Sequence, residues 1–386
     1  MAFARLLLAL LLLFAASPGQ AASLRPLSVY FLDVGQGDAA LVVSPTGKTV
    51  LIDAGPPEAQ ISLVSRVKQL VNGPLDLIIL THPHLDHLGG MSRVIQTVGV
   101  RRFMDPGFDH PSDAYRKVLD VVGQEAGQVM TPTPNAATPD APLSIGLGEG
   151  ATLSIFWPRV PQEPFLKNTR SDANSNSIVA KLTYGETSFL FTGDAEPETE
   201  ARLLRQPQDY SATVLKVAHH GGRYSSTAPF LEAVRPQAAV ISCGARNDYG
   251  HPTREALDRL GQVGARVWRT DRDGEVRAVS DGERVTLTAA RGSAAAPVVV
   301  RGLGARAVPP VDTPRGAKSG PVEISVEPRG PAPRGEGGRF VSLKGSKVFH
   351  REDCATLKRA KTQERTVYPD RASAMKERRP SEDCKP

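Results

Sequence analysis

Apolar and polar positions alternate with a period of two at the start of the chain's body. Residues 27–34 (LSVYFLDV), 38–44 (DAALVVS) and 48–55 (KTVLIDAG) therefore read as three strands, the last two joined by a Pro-Thr-Gly turn. A helical period follows over 59–72, then a short continuous apolar strand over 76–80 and a helix over about 89–98. The second half repeats the theme. Strands are expected at about 177–184 and 187–192, a helix at 195–205, a strand at 213–217, and helix and strand pairs to about residue 288. Several neighbouring strands are joined by tight turns, which only antiparallel pairs allow. The pattern predicts an α+β fold of two mixed sheets flanked by helices rather than a doubly wound parallel sheet.

Two regions break this pattern. At the N-terminus Arg5 precedes LLLALLLLFAA, a run too short to cross a bilayer comfortably and followed by small residues. Residues 1–21 read as a secretory signal cleaved after Ala21, with an uncleaved anchor as the alternative. No second apolar stretch of membrane length follows, so stable membrane insertion and a pore are not expected. The chain is expected to be secreted or periplasmic in a bacterium. From 291 to 340 the sequence turns rich in Ala, Pro, Gly and Arg, a composition that cannot bury enough apolar surface to offset chain entropy and reads as a disordered linker. Residues 341–386 regain order signals and predict a small α/β module, with a strand in SKVFH and a short helix in SAMKERR.

Charge is divided unevenly. Residues 291–386 hold 20 Lys and Arg against 11 Asp and Glu, whereas residues 1–290 hold 27 against 30. The tail is thus expected either to attract a polyanion such as nucleic acid or to be a solvated charged segment.

The chemistry concentrates in LTHPHLDHLGG, residues 80–90, where His82, His84, Asp86 and His87 follow an apolar strand. Three imidazoles and a carboxylate at this spacing suit transition metals, which take neutral imidazole nitrogen and carboxylate oxygen. One loop cannot fill two coordination spheres, and two further strand ends offer completion: Asp194 in FLFTGDAE, and His219 and His220 in VLKVAHHGG. Each is weak evidence by itself; three strand ends bearing ligand types in one chain are not.

The order LIDAG, THPHLDHLGG, FTGD and HHG over residues 26–290 resembles the metallo-β-lactamase superfamily, which implies a four-layer αββα sandwich with a metal centre at one edge of its sheets. FLDVGQGDAALV, NSNSIV, LKVAHHGG, NDYGHP and RTDRDG narrow the likeness to the soluble hydrolase domain of ComEC-type DNA-uptake proteins. The resemblance implies two divalent ions, Zn or Mn. His82 and His84 would hold the first, Asp86 and His87 the second, with Asp194 bridging and His219 or His220 completing the second sphere. Asp53 would orient the histidine loop from behind. Asn174 stands where many members have a third histidine for the first metal, which leaves that site poorer in imidazole. His84 stands where ComEC-type relatives often carry Asp.

Paired metals imply hydrolysis by an activated water, and a phosphodiester suits them because both ions can neutralise its oxygens. The expected function is an exported phosphodiesterase or nuclease, with DNA as substrate and DNA-uptake machinery as a possible partner. The alternatives are a hydrolase of a β-lactam, lactone or envelope ester, and a non-catalytic polyanion-binding protein. Asp86 is the expected catalytic carboxylate. His251, in NDYGHP, is expected to contact a phosphate oxygen or protonate the leaving group, or else simply to close a helix N-terminus. DVGQGD lacks the lysine of a phosphate loop and reads as a turn shaping the cleft floor, with Asp38 near the metals. The C-terminal module resembles the Ada-type metal-binding module, with Ser381 in place of one cysteine. His350, Cys354 and Cys384 would bind metal there, or the two cysteines would pair as a disulfide.

Overall fold

The computed structural model describes residues 26–158, 163–291, 296–304, 340–343, 348–351, 365–368, 374 and 379–380. The chain divides into two units, Met1–Val311 and Asp312–Pro386. The first half of the first unit runs β1 (Leu27–Phe31), β2 (Ala40–Val43), β3 (Thr49–Ile52), α1 (Gln60–Leu70), β4 (Leu77–Ile79), α2 (Leu85–Leu88), α3 (Met91–Val98), β5 (Arg102–Met104), α4 (Asp113–Glu125) and β6 (Gln128–Met130). Next come β7 (Leu143–Gly148), β8 (Ala151–Trp157), α5 (Asp172–Ser175), β9 (Val179–Tyr184), β10 (Thr187–Phe191), α6 (Pro197–Leu203), β11 (Val214–Lys216), α7 (Ala228–Val234) and β12 (Ala238–Ile241). The unit closes with α8 (Arg254–Gln262), β13 (Arg266–Arg269), α9 (Thr270–Asp273), β14 (Val276–Ser280), β15 (Arg284–Ala289) and β16 (Val298–Arg301).

These strands form two mixed sheets, ordered β16-β15-β14-β1-β2-β3-β4-β5-β6 and β13-β12-β11-β10-β9-β8-β7. Period-two alternation explains how they stack. Leu27, Val29, Phe31, Val50 and Ile52 meet Leu153, Ile155, Leu182, Phe189 and Phe191 in one core between the sheets. Leu41, Leu51, Ile78 and Phe103 on the opposite face of the first sheet pack on Leu63 and Val67 of α1, Ile95 of α3 and Val118 of α4. Leu190, Leu215 and Ile241 of the second sheet pack on Leu203, Phe230, Leu231 and Leu260 of α6, α7 and α8. The result is the four-layer αββα sandwich. Helix starts follow the expected chemistry: Ser112 accepts from Tyr115 N at α4, and Thr253 from Ala256 N at α8.

The elements expected over 27–98 and 177–217 are present within a few residues. The region between them also holds β5, α4, β6, β7 and β8, for which the hydrophobic pattern gave no reading. The segment read as linker from residue 291 needs correction. Val298–Arg301 pairs antiparallel with β15 as an edge strand of the first sheet, through Leu287 opposite Val298 and Val285 opposite Val300. Three consecutive valines carry enough β preference to join an exposed edge despite the surrounding composition. In the second unit, β17 (Phe340–Leu343), β18 (Val348–Arg351), β19 (Arg365–Tyr368) and β20 (Arg379–Pro380) form a sheet ordered β19-β17-β18-β20, with Phe349, Tyr368 and Ala374 clustered. His350 falls in β18. The signal segment 1–21, Cys354 and Cys384 lie outside the described residues. Among the described residues, no helix is long and apolar enough to cross a membrane.

Glu200 on α6 ties the helix to the chain after β11 by accepting the backbone N–H groups of Ser226 and Thr227. Its burial pushes the carboxyl up to about 7, against an ordinary value of 4.5. The folded state therefore holds this proton more tightly than the unfolded state, so Glu200 costs stability progressively as pH rises from about 4.5 to about 7. In chelator-treated protein, the stability of Glu200→Gln relative to wild type should rise across that window in denaturant titrations; a difference independent of pH would refute the linkage.

Candidate metal centre

Five strand ends converge. Asp53 directly follows β3, Thr81 to His84 follow β4, Asp194 follows β10, His219 and His220 follow β11, and Ser242 follows β12. The single turn of α2 adds Asp86 and His87. The DVGQGD turn holds that short helix in place: Asp38 N donates to Asp86 O at 3.1 Å, and a Cβ on Gly37 would lie 2.3 Å from the same oxygen. Only glycine permits so close an approach. Ala54 N donates to His87 O at 2.7 Å, clamping α2 from the β3 side. At the third strand end Gly193 sits at φ +48°, and its bare Cα rests against Thr81 and Ser177.

His219 (φ 52°, ψ 44°) and His220 (φ 53°, ψ 25°) both occupy the left-handed region, a conformation costing about 1–3 kcal/mol per non-glycine residue. The surrounding backbone bonds hold them there: His219 N donates to Gly193 O at 3.1 Å and Gly222 N to His219 O at 2.7 Å.

The hydrogen-bond network assigns the ring nitrogens. Thr81 donates its hydroxyl to Asp53 Oδ2 at 2.7 Å and accepts from His82 Nδ1 at 3.1 Å. His87 Nδ1 donates to Asp53 Oδ2 at 2.8 Å, His220 Nδ1 to the Ser242 carbonyl at 3.0 Å, and His219 Nδ1 to Glu196 Oε1 at 3.1 Å. All four rings thus spend Nδ1–H on an outer acceptor and turn Nε2 inward.

What those nitrogens face is Asp194. Its Oδ1 stands 3.3 Å from His87 Nε2 and 3.6 Å from His220 Nε2, while its Oδ2 stands 3.7 Å from His219 Nε2 and 3.9 Å from His82 Nε2. Asp86 Oδ2 lies 3.1 Å from His220 Nε2 and 3.7 Å from His87 Nε2. His84 Nδ1 stands 3.1 Å from His82 Nε2. Asp86, His87, Asp194 and His220 each offer one ligand atom within 4.8 Å of the other three, a set that can hold a cation. Two of these atoms, His87 Nε2 and Asp194 Oδ1, are buried with no hydrogen-bond partner. Orphaned buried polar atoms are costly unless a ligand satisfies them, so this donor set fits a divalent ion. Among the described residues the histidines on the Oδ2 side do not close into an equally tight group.

Charge in the cluster is tightly balanced. Burial would push the carboxyl of Asp194 up, but His220, His87 and His219 hold it well below the usual range. Burial opposes and Lys216 then His220 lower Asp38, whose Oδ2 accepts from Lys216 Nζ at 2.7 Å and whose Oδ1 stands 3.2 Å from His220 Nδ1. His220 is raised to about 10 because Asp194 and Asp38 outweigh its burial. His251 moves the other way, to about 4, through burial and the charge of His220 and His219. Its ring lies 5.6 Å from that of His219 and stacks on Tyr249, and Asn247 pins its backbone from both sides.

The structure brings together His82, His84, Asp86, His87, Asp194, His219 and His220, with Asp53 and Asp38 behind them and His251 at the margin. Asn174 Nδ2 donates to Glu196 Oε1 at 3.4 Å, and its Oδ1 is buried with no hydrogen-bond partner. Lys216, Glu196 and His110 were not singled out from the sequence. Lys216 had a signal, a cation inside the otherwise apolar strand VLKVA, which is only tolerable when paired. Glu196 and His110, whose ring lies 5.8 Å from that of His84, had none.

The model of the metallo-beta-lactamase superfamily matches residues 32–245. ComE operon protein 3 of Bacillus subtilis is 30% identical over 272 residues, covering 64% of this chain and 32% of that protein. Recombination protein 2 of Haemophilus influenzae is 29% identical over 265 residues, 67% of this chain and 30% of its own length. Competence protein ComA of Neisseria gonorrhoeae is 27% identical over 249 residues, with shares of 64% and 31%. The chain thus spans about a third of the length of the relatives it matches. By its matched residues and its fold, the chain belongs to the metallo-β-lactamase superfamily.

Without a cation the inward Nε2 of His220 carries a proton at neutral pH, since its value lies at about 10. A metal must displace that proton, so binding should release it and affinity should rise with pH through the neutral range, about tenfold per unit for each proton released. Calorimetry of zinc or manganese binding in buffers of differing ionisation enthalpy measures the count; a count of zero at pH 7 would show that His220 Nε2 is already unprotonated before the metal arrives and would overturn its raised value.

Proposed function

We propose that this chain is an exported phosphodiesterase, a nuclease acting on DNA, that works with two divalent cations held by the strand-end cluster. The observation that carries this reading is the common orientation of four histidines around one buried carboxylate, each with Nδ1 committed outward and Nε2 turned inward. On this reading Asp86, His87, Asp194 and His220 would hold one ion. The second would be held by His82, His84 and His219, on the side of Asp194 Oδ2, which stands 3.9 Å from His82 Nε2 and 3.7 Å from His219 Nε2. A pair of Zn or Mn ions supplies Lewis acidity and a water acidic enough to attack near neutral pH.

The chain's own residues do the rest. Asp53 fixes His87, and through Thr81 also His82, so the ligand nitrogens need no reorganisation on binding. Asp86, with a side chain 33% exposed against 3% for Asp194, is the cluster carboxylate open to the cleft, and it holds and accepts the proton of the attacking water. His251 is neutral, with Nδ1 toward the Gln36 amide at 3.5 Å, so its Nε2–H is free to donate to a phosphate oxygen. Relatives named for recombination and competence support DNA as the substrate class and uptake machinery as a partner. Residues 1–21 act as the export signal. The basic segment from residue 312 onward adds affinity for the polyanion, with His350, Cys354 and Cys384 stapling its module as metal ligands or, for the cysteines, as a disulfide.

Purified protein incubated with DNA, bis-p-nitrophenyl phosphate and nitrocefin, with zinc, manganese or EDTA, tests the reaction class. Diester cleavage that EDTA abolishes is expected, and Asp86→Ala or His87→Ala should lower it by at least about a hundredfold while circular dichroism is retained. Nitrocefin turnover without diester cleavage would overturn the reading. Truncation before Asp312, beyond the edge strand β16, should weaken DNA binding and flatten its salt dependence; equal affinity and slope in both proteins would show the tail charge to be incidental.

A further inference from the structure

A cavity of about 430 Å³ opens beside the cluster, between the 108–111 loop and the 168–173 loop. His84 lines it, and its Nδ1 stands 3.1 Å from His82 Nε2, so the cavity adjoins the cluster through this one residue. Its size matches a small-molecule subsite and admits one nucleotide.

The walls are specific. Phe108 packs edge-to-face on Phe165, with ring centroids 5.4 Å apart at 85°, which fixes its ring. His110 Nδ1 accepts from Ser112 N at 3.3 Å, so Nε2 carries the hydrogen and is a donor. Arg170 spreads its guanidinium over the Tyr224 ring at 3.5 Å and holds Nε 3.6 Å from Glu196 Oε2. The same Glu196 carries His219, so the cation is tied to the catalytic cluster through one residue. Two carboxylates also line the cavity. Asp172 is spent on its own loop, accepting from Thr169 N at 2.8 Å, Thr169 Oγ1 at 2.7 Å and Asn168 N at 3.3 Å. Asp109 is exposed to solvent. The wall therefore holds an aromatic ring, a cation and a neutral donor beside one solvated carboxylate, a combination that suits a base and its phosphate better than an acyl chain.

We infer that this cavity is a nucleoside subsite in which one base of the substrate lies against Phe108 while the adjoining phosphate meets Arg170 and His110. The inference rests on the phosphodiester reading but is separable from it. For Phe108→Ala, the ratio of kcat/KM for thymidine 5′-p-nitrophenyl phosphate to that for methyl p-nitrophenyl phosphate should fall about tenfold, the loss expected for one base stack. Phe108→Tyr should restore it. Equilibrium binding to the manganese-loaded protein separates base from phosphate: Arg170→Gln should weaken thymidine 5′-monophosphate more than thymidine, and Phe108→Ala should weaken both alike. An unchanged ratio in Phe108→Ala, or equal effects of Arg170→Gln on the two ligands, would overturn the subsite. If no diester is cleaved at all, the reaction class fails, and monophosphate binding by wild type and its loss in Phe108→Ala still decide the cavity.

Discussion

The constraint on which the rest depends is electrostatic. Four carboxylates, Asp38, Asp53, Asp86 and Asp194, are gathered at one edge of the sandwich, three of them almost fully buried. Carboxylates this close cannot all stay ionised without compensating positive charge. Lys216 compensates Asp38 directly, and His87 and His220 take protons when no cation is present. With no cation present, protons thus occupy nitrogen atoms of the same donor set that could hold one. Neighbouring imidazoles shift in opposite directions for this reason: His220 is held up by Asp194 and Asp38, whereas His82 is driven well down by burial and then by His87 and His84.

The sheets provide the rigidity such a cluster needs. Asp53 and the histidine loop issue from the first sheet, whereas Asp194, His219 and His220 issue from the second. Their mutual distances are set by the core between the sheets, where Phe31 meets Phe191 with ring centroids 6.2 Å apart. Left-handed backbone at His219 and His220 is sustained by this frame, since β11 is flanked by β10 and β12 in parallel register and cannot swing to relieve it. Close packing makes the strain affordable.

Much of this was legible in the amino-acid order because it rests on local signals. Period-two alternation located β1 to β3, and ligand residues clustered at strand ends located the site. The segment from 99 to 176 was harder to read. β5 and β6 are three residues each, too short for a period to show, and β7 alternates Ile145 and Leu147 with Gly146 and Gly148, residues of low strand preference. The different settings of His219 and His220 were likewise beyond sequence, because they depend on two successive left-handed residues and on Ser242, 22 positions from His220. The edge strand β16 was hidden by its surroundings, since composition averaged over fifty residues masks three valines.

The same logic explains Asn174. A histidine at that position would lie beside Glu196, but Glu196 already accepts from His219 Nδ1 at 3.1 Å and from Asn174 at 3.4 Å. The amide thereby shares, through Nδ2, the carboxylate that orients His219, and leaves its buried Oδ1 unpaired. With Arg170 at 3.6 Å, Glu196 becomes the junction between the cluster and the cavity wall. A buried carboxylate facing one imidazole, one amide and one guanidinium couples the aim of His219 to the position of Arg170. Displacing the guanidinium from Tyr224 would act on the carboxylate that aims His219, because Arg170 and His219 lean on the two oxygen atoms of one side chain.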